Sequence, residues 1–138
     1  MKKYFLLLIS VLFLCSCHRE QEQKETPIDI VGEWMLNSYV TKSVSIGNEK
    51  IDIYLKFDAS SFEIYQLLGN GRYQHYSGSY TITDNILNGK YSDGKGFGSS
   101  YSVSIENKKL ILTRQPDGKE IQTFTPTTIP ETVKNNIY

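Results

Sequence analysis

Ile51-Asp52-Ile53-Tyr54-Leu55-Lys56-Phe57-Asp58 is the stretch that decides the fold. Aliphatic or aromatic residues at 51, 53, 55 and 57 alternate with charged or amphipathic ones. Successive side chains of a strand point to opposite faces, so this period of two makes one face core and the other wet. The same rhythm continues at Phe62, Ile64, Gln66 and Leu68, opposite Glu63 and Tyr65. Gly69-Asn70-Gly71 then supplies a tight hairpin turn, because Asn-Gly tolerates the positive φ that the strand twist demands.

Working outward, short strands recur in both directions. Upstream, residues 33–45 read as a strand with Trp34, Leu36, Ser38 and Val40 on one parity, followed by a turn at Ile46-Gly47-Asn48-Glu49. Downstream, residues 72–83 form a long strand in which Gly78 predicts a bulge or bend. Asp84-Asn85 turns the chain into residues 86–91. A glycine-rich loop, Ser92-Asp93-Gly94-Lys95-Gly96-Phe97-Gly98, follows. Tyr101, Val103 and Ile105 alternate on the next strand, and Leu110 and Leu112 lie on the one after. Gln115-Pro116-Asp117-Gly118 is a turn, and residues 120–125 return. Pro130 to Lys134 has room for one helical turn, with Thr128 as its expected cap. These are eight strand-like segments joined by short loops. They predict an all-β, up-and-down antiparallel barrel of eight strands over residues 29–138.

The amino terminus is of another kind. Met1 to Cys17 reads MKKYFLLLISVLFLCSC: two lysines, then an uncharged apolar run. The run is shorter than the ~20 apolar residues a bilayer span needs, and it fits the core of a secretory signal. Leu14-Cys15-Ser16-Cys17 resembles a bacterial lipobox. That resemblance implies a signal peptide over 1–16, cleavage before Cys17, and lipid (a thioether-linked diacylglycerol with a fatty acyl chain such as palmitate) on Cys17. The polar stretch His18 to Thr26 reads as part of a tether spanning 17–28. The protein is therefore expected in the cell envelope, lipid-anchored. The same resemblance implies the outer membrane, on its periplasmic face or at the cell surface, because His18 after the cysteine is not the aspartate associated with inner-membrane retention. Both cysteines lie at the signal's end, so the domain has no disulfide and no thiolate metal site. With 15 basic and 15 acidic side chains the chain is formally neutral, and no basic block remains to hold nucleic acid.

Gly32-Glu33-Trp34, at the start of the string of strands, resembles the G-x-W signature of lipocalin-like (calycin) barrels. Gly78-Ser79-Tyr80-Thr81-Ile82 and the closing hairpin from Leu110 to Lys119 support it. Small lipocalin-like lipoproteins of Bacteroides-type bacteria are similar. The resemblance implies that Gly32 and Trp34 close one end of the barrel, with Arg114 lying on the face of the tryptophan.

Chemistry is sparse. His75 has no partner at metal-binding or triad spacing. Asp52, Asp58, Glu63 and Asp84 fall on wet parity, and no nucleophile motif is present. The chain reads as neither an enzyme nor a cofactor or metal protein. Glycines 94, 96 and 98 lack the following helix a phosphate cradle needs, and read first as a flexible hairpin connection, with a lid over the barrel mouth as the functional reading. Tyr76, Tyr80, Tyr101 and Gln66 share parity with inward residues. They are the candidate lining for a small apolar or amphipathic ligand, although alternation alone permits a filled core equally. Tyr39, Tyr54 and Tyr65 take the opposite parity. They define the alternative, an accessory module that docks onto an envelope protein through its outer face. Its partner is not named by the sequence.

Overall fold

The structure is a computed structural model and describes residues 26–41, 45–46 and 52–138. Nine strands and one short helix follow in order. They are β1 (Gly32–Thr41), β2 (Ser45–Ile46), β3 (Ile53–Phe57), β4 (Ser61–Leu67), β5 (Tyr73–Thr83), β6 (Ile86–Tyr91), β7 (Tyr101–Glu106), β8 (Lys109–Arg114), β9 (Glu120–Pro126) and α1 (Glu131–Lys134). All strand pairs in the sheet are antiparallel. β1 and β3 to β9 are neighbours in chain order, and β9 returns to pair with β1. The result is a closed eight-stranded, up-and-down barrel with no free edge at the β1–β9 junction. β2 is a two-residue addition on the far end of β1, at Tyr39↔Ile46 and Val40↔Ser45. Cys17 with its expected lipid, the expected signal peptide over 1–16 and the expected turn at 47–49 lie outside the described residues.

The two ends differ. At one, Asp84-Asn85 and Asn107-Lys108 make two-residue turns with φ between +51° and +63°, the type that follows strand twist. The chain reaches the barrel at this end, and Ile28 and Ile30 pack into its core. Ile28 therefore belongs to the packed domain rather than to the tether. At the other end lie the longer connections 68–72, 92–100 and 115–119.

The inner face carries Trp34, Leu36, Leu55, Phe57, Phe62, Leu87, Val103, Leu110, Leu112 and Phe124. Each fully buried Leu or Phe of this set contributes roughly 1.5–3 kcal/mol. Three local expectations are corrected. β1 stops at Thr41, and a register shift between Leu36 and Ser38 reverses its parity. Tyr39 consequently packs inward and Val40 faces out. Gly78 is no bulge, since Phe62↔Gly78 and Gly78↔Tyr91 pair in regular register. It is glycine because a Cβ there would collide with the Lys90 carbonyl and come within 2.8 Å of the Phe62 ring. The helix starts after Pro130 with no side-chain cap, so Thr128 does not serve as one.

A second, smaller core lies outside the barrel. Residues 127–138 run back across the outer face of β1, β3, β4 and β5. Ile129 and Val133 cover Tyr54, Tyr65 and Tyr73. The Ile129 amide donates to Glu33 Oε2 at 2.6 Å, and Lys134 Nζ lies 3.4 Å from Glu33 Oε1. At the far end the strap joins β5 through a Tyr73↔Ile137 bridge, and Arg72 donates to the Ile137 carbonyl at 2.6 Å.

Candidate functional site

The barrel interior is not packed solid. A cavity of about 180 Å³ lies between the Trp34 end and the mouth, walled chiefly by Ile53, Leu55, Phe62, Phe97, Leu112 and Phe124. That is slightly above the ~150 Å³ of an apolar cavity known to take up benzene. A single ring or a short chain fits, and a large polycyclic molecule does not.

Phe97 reaches this cavity from the glycine-rich loop. After Tyr91 the chain turns through Gly94, whose amide donates to the Tyr91 carbonyl, and folds back on β6 with a Lys90↔Gly96 bridge. The Phe97 amide donates to the Gly89 carbonyl at 3.0 Å. Its ring lies 4.9 Å from Phe62 and 5.2 Å from Tyr91, edge to face in both cases. Gly89 has to be glycine, because a Cβ would occupy the space of the Phe97 ring. The loop is thus part of the wall, where the sequence suggested a lid over the mouth. Phe97 and Gln122, which also lines the cavity, were missed by sequence reasoning. The available signal for Phe97 was a lone aromatic among glycines.

Beside this cavity the wall has a side window. β6 stops pairing with β5 at Gly78↔Tyr91. Below that point, among the described residues, the free edge of β5 meets the Ser92 amide, on the Ser77 carbonyl, and the strap at Tyr73. The window is a solvent-open hollow of about 560 Å³ lined by Gln66, Tyr76, Ser77, Ser92, Asp93 and Lys95 among others. Ile64 and Tyr91 wall both spaces.

The four ligand candidates therefore separate. Tyr101 lines the inner cavity. Gln66 and Tyr76 line the window, with the Tyr76 ring 5.9 Å from Tyr91. Tyr80 sits at the closed end, edge-on to Phe57 at 5.0 Å and donating its hydroxyl to the Asp58 carbonyl at 2.6 Å, away from both spaces. Gly32 packs against the Trp34 indole, whose Nε1 donates to the Ile30 carbonyl at 2.9 Å. Arg114 is at the opposite end of the barrel from Trp34. It follows the β8 residues that pair with the start of β9 and bonds Ser99 Oγ at 3.1 Å. Its guanidinium lies 3.8 Å from Glu120, which also accepts from Gln122 Nε2 at 2.5 Å. Arg114 thus belongs to a polar rim at the mouth. Burial, and next the neighbouring Glu120, raise the pKa of both Tyr39 and Tyr101 there, keeping the phenols protonated.

On the outside, Glu63 accepts hydrogen bonds from Tyr65 (2.5 Å), Lys56 (3.0 Å) and, through its ring Nε2 at 3.1 Å, His75. The Tyr65 bond leads in holding the Glu63 carboxyl down at about 2 against the desolvation that opposes it. Tyr65 moves up in step, through burial first and the same bond second. His75 also stacks on Tyr65 at 4.7 Å. These groups clamp strands together and lie on the face away from the cavity. Asp52 is buried rather than solvated. Among the described residues no group of three or more His, Cys, Asp or Glu side chains could hold a metal ion. Nor is any helix there long and apolar enough to cross a membrane. Tyr54 and Tyr65 lie under the carboxy-terminal strap and Tyr39 faces inward, so the tyrosine stripe is no open docking face.

A closed, up-and-down eight-stranded barrel with a tryptophan across one end and an apolar hollow behind it defines the calycin class. Residues 30–112 match the model of the lipocalin-like domain family. The chain belongs to that family. Among solved structures it is similar to a lipocalin-like protein from Bacteroides uniformis ATCC 8492, with 21% identity, a TM-score of 0.57 and coverage of 72% of this chain and 100% of that one. An uncharacterized protein from Bacteroides eggerthii DSM 20697 gives the same TM-score and coverage at 18% identity. At these identities the likeness is one of fold. No curated protein matches.

Proposed function

We propose that this protein is a membrane-anchored, non-catalytic binding protein that holds one small apolar or amphipathic molecule inside its barrel. The apolar cavity of about 180 Å³ carries the reading. An aromatic and aliphatic lining with one amide, Gln122, favours a ligand bound by shape and burial. Anchoring rests on the lipobox-like Leu14-Cys15-Ser16-Cys17, with the acyl chain on Cys17 and the outer membrane as its site.

Titrating the purified protein with toluene, followed by backbone amide NMR, tests the binding. Shifts are expected at Leu55, Phe62, Leu112 and Phe124, and Leu112→Trp, which fills the space, abolishes them while the protein stays folded. The absence of shifts at saturating toluene, together with no molecule retained through native mass spectrometry, overturns the reading. For the anchor, Cys17→Ala moves the protein out of the membrane fraction or leaves it unprocessed. Unchanged fractionation refutes lipidation.

A further inference from the structure

We infer that the ligand is bipartite: a ring or short chain in the barrel cavity joined to a neutral, hydroxyl-rich head, such as a single sugar ring, seated in the side window. The inference rests on the binding function proposed above and specifies its ligand class.

Three observations carry it. The first is adjacency. Ile64 and Tyr91 wall both the cavity and the window, so the two spaces adjoin at these two side chains, which the proposed ligand would have to pass. At about 560 Å³ the window is the roomier of the two, and it suits a head larger than the tail.

The second is hydrogen-bonding capacity. Among the described residues, Gln66, Tyr76, Ser77 and Ser92 line the window without a side-chain hydrogen bond to the protein. The β5 edge adds backbone groups. Arg72 and Tyr80 bond toward β4, whereas Tyr73 bonds the strap and Ser77 the loop on the other side. Alternation therefore aims the His75 amide and carbonyl at the window. Amides and hydroxyls both donate and accept, which matches the sugar hydroxyl.

The third is charge and surface. The charged side chains at the rim, Asp93 and Lys95, pair with each other at 3.3 Å, so the window presents no net charge to select an ionic head. His75, which also lines it, directs its ring to Glu63 on the outer face. Tyr76 is 41% exposed although it points to the inner side of β5, and its ring leans on Tyr91. An exposed phenol beside hydroxyl and amide groups offers a flat face for the C–H side of a pyranose, with polar groups around its rim.

Toluene, phenyl β-D-glucopyranoside and benzoate, titrated separately into the protein and followed by amide NMR, test this. The glucoside is expected to bind at least tenfold tighter than toluene and to add shifts at His75, Ser77 and Ser92. Tyr76→Ala should bring its affinity down to that of toluene. If toluene binds in the cavity and the glucoside binds no tighter, the bipartite ligand is refuted and the cavity reading stands. Benzoate binding tighter than the glucoside also refutes it, by showing a site for an anionic head. If neither toluene nor the glucoside binds, both readings fall.

Discussion

Trp34 ties the chain's approach to its first strand. Its Nε1 bonds the Ile30 carbonyl, in a region where Ile30 itself is 1% exposed. Trp34→Phe strands that carbonyl and shrinks the plug, so it should lower stability by about 1–3 kcal/mol, read as a denaturation midpoint. The glycines divide by what surrounds them. Gly89→Ala drives a methyl group into the Phe97 ring and should cost ~1–3 kcal/mol, whereas Gly69→Ala, with nothing within 4 Å, should leave the midpoint nearly unchanged. Equal effects would mean that Phe97 does not lie against Gly89. Glu63 supplies a pH signature. Its pKa falls from 4.5 to about 2 on folding, so its contribution is fully present above pH 4.5 and is lost as pH drops toward 2. Denaturation midpoints should therefore decline across that window in the native chain, and Glu63→Gln should flatten the decline. An unaltered slope in the variant would show that the Tyr65, Lys56 and His75 bonds do not hold this carboxylate.

Among the elements, the strap after β9 has the largest effect on how the sequence reads. The alternation in β3 gave its inward set, Ile53, Leu55 and Phe57, correctly, because one face of that strand is set by the barrel alone. It also gave Tyr54 an outward direction, and Tyr54 does point outward. Tyr54 is nevertheless buried, because Ile129 and Val133 come back over it from the far end of the chain. Parity fixes a direction and says nothing of what arrives later to cover that face. In β1 the failure was local: Leu36-Asn37-Ser38 carries no glycine or proline to mark the register shift that turns Tyr39 inward. The role of Arg114 was borrowed from a family pattern, and strand register puts the residue at the other end of the barrel. Phe97 was hidden because glycine-rich sequence reads as loop, although this loop builds wall. The strap itself can be tested. Ile129 is 1% exposed, so Ile129→Ala should cost about 2–5 kcal/mol in equilibrium unfolding and raise the accessibility of Tyr54 and Tyr65 to a phenol-modifying reagent. A cost below 0.5 kcal/mol would mean that the segment only rests on the sheet.

The molecule as a whole is polar in the sense of having two unlike ends. Paired short turns, Ile28, Ile30 and the Trp34 plug occupy one of them. Longer connections and the cluster of Tyr39, Arg114, Glu120 and Gln122 occupy the other. Phe97 stands between the hollow and its surroundings, so Phe97→Ala should widen the interior enough for a two-ring probe such as naphthalene to bind where the native cavity has room for one ring. Amide shifts of Leu55 and Leu112 give the readout, and no gain in ligand size would remove Phe97 from the wall. The position at which the backbone joins the barrel has a further consequence. Thr26 to Val31 attach at the plugged end. If Cys17 carries lipid as proposed, the anchor joins this goblet at its foot and leaves the rim clear of the point of attachment. Under the binding function proposed above, cargo would then have a way in from water that the anchor does not obstruct.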